Sequence, residues 1–184
     1  FECAVRAVLG QQVSVKAGRT LAARLVALFG TPVEDAADGL THLFPGPAAL
    51  VTADLDGLGL TRARADALVA LARAACDGRL DFGASVDDVT AALEALPGLG
   101  PWTGQYVALR ALGEPDAFPT GDLVLRRMAA SNGVPLTPRA LLARAEAWRP
   151  WRGYAVLHLW QAAAEALTPS DHVRKRPVRA PRRE

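Results

Sequence analysis

The sequence predicts an all-α fold. Apolar residues recur at helical spacing along nearly the whole chain, alanine and leucine dominate, and no convincing run of alternating β-branched residues appears. With 184 residues, 51% of them apolar, the chain has material for one sizeable core or for two small lobes sharing one. Eight or nine helices are expected.

Phe1 to Leu9 and Ser14 to Phe29 read as two helices flanking the polar turn Gly10-Gln11-Gln12, and Gly30-Thr31-Pro32 ends the second. Thr31 to Pro47, with three prolines and two glycines, reads as an irregular loop. Pro47 to Ala53 reads as a short helix. Gly57-Leu58-Gly59 then turns into a longer one, Thr61 to Asp77, which Gly78 stops. Ser85 with Asp88 three residues on resembles a capping box and opens a helix to Ala95. Leu96-Pro97-Gly98-Leu99-Gly100 links it to a helix over Trp102 to Leu112, and Gly113 to Gly121 forms a loop ahead of a helix beginning near Asp122. Thr137-Pro138 is an N-cap with proline at the first helical position and launches Arg139 to Trp148. Pro150 interrupts, Trp151 to Ala166 makes the last helix, and the arginine- and proline-rich tail, 170–184, is expected to be disordered.

Charge is unevenly spread. The last 13 residues carry six Lys or Arg and one Glu, which leaves fifteen basic against eighteen acidic residues, a net −3, over residues 1–171. Such a body cannot attract nucleic acid through a broad positive field. Any contact with it must be local, through helix N-termini, backbone amides and a few arginines. No 18-residue apolar run and no charged leader ahead of a short apolar stretch occur, so no membrane association and a cytoplasmic setting are expected.

Two cysteines, Cys3 and Cys76, lie in helical segments; both read as small core residues, and two cannot supply a four-cysteine iron–sulfur cluster. His42, His158 and His172 show no zinc-pair spacing, and neither a G-x-S-x-G elbow nor a Walker phosphate loop is present, so no organic cofactor is expected.

The turn Gly98-Leu99-Gly100 is the first chemical signal. Two glycines one residue apart let the backbone approach a ligand closely, and the following helix aims its unpaired N–H groups the same way. Alone, this reads more readily as an ordinary joint between helices, and Asp122, ahead of its helix, as an ordinary N-cap.

The full string Leu96-Pro97-Gly98-Leu99-Gly100-Pro101-Trp102-Thr103-Gly104-Gln105-Tyr106, followed by Asp122, resembles the helix-hairpin-helix DNA glycosylase superfamily, within it the bacterial 3-methyladenine DNA glycosylase II group. Gly10-Gln11-Gln12-Val13-Ser14-Val15 and Trp148-Arg149-Pro150-Trp151-Arg152 belong to the same likeness, which runs from Phe1 to about Glu165. The resemblance implies two small helical lobes with the active-site cleft between them, one glycosylase domain over 1–169 with its hairpin at 94–106, and a monomer acting on double-stranded DNA that contains damaged bases. That group carries an additional N-terminal domain that these residues do not include. A trimmed piece, a compact variant and the end of a fusion with an alkylation-response regulator all stay open.

By the same resemblance, amides of Gly98, Gly100, Thr103 and Gly104 hold a phosphate, and carbonyls of Leu96 and Leu99 hold a monovalent cation, Na+ or K+. Asp122 is the catalytic carboxylate, Trp102, Tyr106, Trp160 and Leu123 line the base pocket, and Gln12, with Gln11 beside it, is the wedge that fills the duplex. Members that also nick the backbone place a lysine where this chain has Trp102, and its lysines, Lys16 and Lys175, stand elsewhere. The expected activity is hydrolytic excision of alkylated purines without lyase chemistry. A non-catalytic helix-hairpin-helix DNA-binding module is the second reading, and a relative specialised for oxidised bases or mismatched adenine fits poorly.

Overall fold

The computed structural model describes residues 1–34, 39–131 and 133–167, so the expected tail lies outside the described residues. Among these, nine α-helices form: α1 (Glu2–Gly10), α2 (Val15–Phe29), α3 (Pro47–Val51), α4 (Arg62–Cys76), α5 (Val86–Glu94), α6 (Pro101–Arg110), α7 (Leu123–Met128), α8 (Pro138–Ala145) and α9 (Arg152–Leu167). A 3-10 turn, Glu146–Trp148, follows α8.

Local chemistry sets most helix starts. Ser14 Oγ accepts the Ala17 N–H at 3.2 Å, and Thr137 Oγ1 accepts that of Ala140 at 3.1 Å ahead of Pro138. Ser85 does double duty: its hydroxyl accepts the Asp88 N–H at 3.2 Å and donates to the Asp88 carboxylate at 2.6 Å. Thr61 precedes α4 without a capping bond from its side chain.

Two expectations change. The segment expected to be an irregular loop contains a short antiparallel bridge, Thr31–Pro32 with His42–Leu43. Gly30 permits it, since a Cβ there would lie 2.4 Å from Val26 O and 2.6 Å from Leu43 O. Cys76, expected in the core, is exposed at the end of α4, while Cys3 is half-buried.

Apolar side chains collect into two cores. The first is built from α1 (Val5, Val8, Leu9), α2 (Leu21, Leu25), α4 (Leu68, Leu71), α5 (Val89, Leu93), the hairpin (Leu96, Leu99) and Val107 of α6. The second joins Phe118, Leu125, Leu141, Ala145 and Val156, with Leu109 and Trp160 packed against it. Helix α6 therefore feeds both cores, Val107 to one and Leu109 to the other, and forms the seam between the lobes.

At that seam Gly153 of α9 donates its N–H to Pro115 O at 2.8 Å. An added Cβ would sit 2.7 Å from Leu109 Cδ1 and 2.8 Å from Pro115 O. Gly153→Ala should therefore lower folding stability by about 1–3 kcal/mol, the usual cost of overpacking, read as a fall in denaturation midpoint at unchanged m.

Candidate active site

Asp122 is among the few buried polar residues, and each of its carboxylate oxygens has a separate donor. Oδ1 accepts the Leu125 N–H at 2.9 Å, which makes it the N-cap of α7. Oδ2 accepts the Trp102 indole N–H at 2.9 Å. The two roles open for Asp122 are thus not exclusive, because a carboxylate has an oxygen for each and lone pairs to spare.

Trp102 also stacks on Tyr106, one turn further along α6, with ring centroids 5.1 Å apart and planes 20° from parallel. Tyr106 meets Trp160 of α9 at 5.9 Å. All three rings are half-buried, so a connected aromatic surface spans the seam and carries the carboxylate at one end. Burial pushes the Tyr106 hydroxyl above its usual range, with Cys3 adding to the effect and Arg110 opposing it, so the phenol stays neutral in neutral solution. Leu123, the next residue after Asp122, is 45% exposed.

In the hairpin, Gly98 has φ +80, a backbone state that suits glycine, and packs so closely on α4 that a Cβ would meet that of Ala67 at 3.1 Å. A Cβ on Gly100 would point into open space. Among the described residues, the N–H groups of Gly98, Gly100 and Trp102 have no protein acceptor. The amides of Thr103 and Gly104 do have one, since both donate to Gly100 O, at 2.8 and 3.3 Å. The Trp102 amide thus joins those of Gly98 and Gly100 as an open donor at the hairpin. Thr103 is 1% exposed, and Gly104 serves packing: a Cβ there would lie 2.8 Å from Glu94 Oε1 on α5.

The turn after α1 divides the two glutamines expected at the wedge. Gln12 stands exposed with φ +53, the one non-glycine residue with positive φ among those described. Gln11 is committed elsewhere, because its amide donates to Gly98 O at 3.0 Å and lies 3.5 Å from Thr103 Oγ1, while its own carbonyl accepts from Arg64. Gln11 thus ties the turn to the hairpin.

A helical hairpin with free amides, a capped aspartate and an aromatic seam matches a known family model: residues 5–152 fit the HhH-GPD superfamily base excision DNA repair protein. The chain belongs to this superfamily. Similarity within and beyond the HhH-GPD model is extensive. The chain is 48% identical over 161 residues to the probable bifunctional transcriptional activator/DNA repair enzyme AlkA of Mycobacterium tuberculosis, covering 86% of this chain and 32% of that protein. It is 38% identical over 165 residues to DNA-3-methyladenine glycosylase 2 of Escherichia coli, covering 87% and 56% respectively. The chain thus spans about a third of the first relative and just over half of the second. Among solved structures, a 3-methyladenine DNA glycosylase from Archaeoglobus fulgidus superposes with TM-score 0.74 at 26% identity, covering 91% of this chain and 59% of that one. The Schizosaccaromyces pombe 3-methyladenine DNA glycosylase solved in complex with abasic DNA shares the fold, with TM-score 0.76 at 22% identity, 89% of this chain and 80% of that one. The HhH-GPD fold agrees with the predicted all-α class and its two lobes.

Sequence reasoning missed the link from Trp102 to Asp122, although a half-buried indole N–H demands an acceptor and so carried a signal. It also missed the clamp that holds the loop leading to Asp122. Arg152, 11% exposed, pairs with Asp116, 18% exposed, through Nε to Oδ1 at 2.7 Å and Nη2 to Oδ2 at 2.8 Å, and Nη2 also reaches Asp116 O at 3.0 Å. Arg149 reaches the same carboxylate, and Glu146 braces both arginines, at 2.9 Å from Arg149 and 3.6 Å from Arg152. Desolvation opposes ionisation of Asp116, but the hydrogen bonds and charges of Arg152 and Arg149 outweigh it and hold the carboxyl below its usual range. A depressed folded-state pKa contributes stability that is complete above the ordinary value of 3.8 and is lost as pH falls from there through the folded-state value. Thermal melts from pH 6 down to pH 2 should show Asp116→Asn less stable than wild type at the upper end and the gap between them closing as acid protonates the carboxyl.

Proposed function

We propose that the chain is the catalytic part of a monofunctional DNA glycosylase that flips alkylated purines of the 3-methyladenine type out of duplex DNA and hydrolyses the base–sugar bond, leaving an abasic site. The observation that carries this reading is the Asp122 carboxylate fixed by the Trp102 indole at the end of the Trp102, Tyr106 and Trp160 surface.

Those faces suit a flipped purine, and for a cationic alkylated base stacking is joined by cation–π attraction of roughly 0.5–2 kcal/mol. As the C1′–N bond breaks, its electron pair leaves with the base, so a cationic purine departs neutral without a proton donor. Positive charge develops on the sugar. An anionic Asp122 nearby stabilises that charge or orients the water that attacks C1′. Leu123, exposed beside Asp122, is available to the same pocket.

The free amides of Gly98, Gly100 and Trp102 suit one backbone phosphate, a local grip of the kind a body of net −3 requires. Two carbonyls of the turn fit a monovalent cation: Leu99 O accepts no hydrogen bond among the described residues, and Leu96 O accepts one, from Leu99 at 3.1 Å. A bound Na+ or K+ there adds positive charge close to the phosphate. Gln12, exposed and with its backbone in the left-handed region, would fill the space a flipped base leaves. No helix among the described residues is long and apolar enough to cross a membrane. The domain reading, 1–169 as one glycosylase unit acting as a monomer, goes with this proposal.

Base release measured on duplexes carrying methylated purines, hypoxanthine or ethenoadenine tests the activity and its range. Asp122→Asn should abolish release while binding to the damaged duplex is largely kept; a wild-type chain that binds DNA and releases none of these bases would be a binding module instead. Borohydride should trap no covalent adduct, because Trp102 holds the place of the lyase lysine, and an adduct would refute the hydrolytic reading.

A further inference from the structure

Gln105 stands on α6 between Trp102 and Tyr106, and its Oε1 accepts the backbone N–H of Phe118 at 2.8 Å. Phe118 opens the five residues that end in Asp122, and they are tightly folded: Thr120 N–H donates to Phe118 O at 3.0 Å and Asp122 N–H to Pro119 O at 2.9 Å. Pro119 has no N–H to offer. Among the described residues, the Phe118 amide is the one backbone donor of residues 118–122 held by another element. The Phe118 ring is itself fixed, buried and edge-on to Trp148 at 6.1 Å.

Trp102 and Gln105 are three residues apart and share a face of α6. One grips the segment at its carboxylate end, the other at its start. The Leu125 N–H and the Trp102 indole hold the carboxylate itself, and the Gln105 contact at the other end sets how the segment that carries it lies along α6. We infer that Gln105 is a positioning residue for base release, setting segment 118–122 on α6 so that the free lone pairs of Asp122 face the reacting sugar. The inference rests on Asp122 being the catalytic carboxylate.

The test uses the 184-residue chain in single-turnover base release at saturating enzyme on a duplex that wild type processes, beside binding to a duplex with a tetrahydrofuran abasic-site analogue. Gln105→Met matches the length and removes the acceptor; it should lose about tenfold or more in rate with binding changed less than about twofold, since a misplacement of about 1 Å can cost 10²-fold. Gln105→Glu keeps an acceptor oxygen and should stay within about threefold of wild type. Gln105→Ala admits water to the Phe118 N–H; it should repeat the loss of rate and serves if Gln105→Met melts below the assay temperature. Wild-type rates for Gln105→Met or Gln105→Ala, with Asp122→Asn inactive, overturn the role of Gln105. So does a Gln105→Glu protein as slow as Gln105→Met. An Asp122→Asn protein as fast as wild type instead removes the reading of Asp122 on which the inference stands.

Discussion

The hydrogen bond from the Trp102 indole to Asp122 joins α6, which feeds both cores, to the start of α7, whose Leu125 lies in the second. Trp102 rides on a helix that packs against α1 and α5, and Asp122 caps a helix that packs against α9. A misfit between the lobes that broke this contact would also break the relation between carboxylate and aromatic faces. The seam is accordingly overdetermined. Gly153 allows α9 to approach within van der Waals contact of Leu109, Arg152 ties α9 to the loop before Asp122, and Trp160 comes to rest against Tyr106. Hydrophobic contact alone tolerates sliding, whereas charged forks and backbone hydrogen bonds fix register.

What could be read from the sequence was what is local. Ser14, Ser85, Thr137 and Asp122 announce helix starts because a cap and its N–H lie three residues apart. The hairpin was legible because glycine at φ +80 leaves a mark in composition. Contacts between residues distant in sequence were not: Arg152 with Asp116 spans 36 positions and Gln11 with Gly98 spans 87, and no periodicity records either. Trp160 was placed by resemblance alone, and its contact with Tyr106 is a finding of the structure.

Two of the expected phosphate donors, the amides of Thr103 and Gly104, are engaged within the chain. Counting the first N–H groups of a helix as free assumes that nothing upstream takes them, and here the Gly100 carbonyl takes both. Proline at the first helical position removes one more donor. The open amides are those of Gly98, Gly100 and Trp102, and of these Gly100 faces open space.

The amides of that turn alternate. The peptides joining Pro97 to Gly98 and Leu99 to Gly100 each have both oxygen and hydrogen unengaged among the described residues, whereas the one between them is tied at both ends, Gly98 O to Gln11 and Leu99 N to Leu96. Because a peptide is planar and conjugated, electron density drawn toward its oxygen is withdrawn from its nitrogen. Whatever approaches one end therefore alters the acidity of the other. A single resonance-linked unit, flanked by an immobilised one, can let two oppositely charged species sense each other without touching.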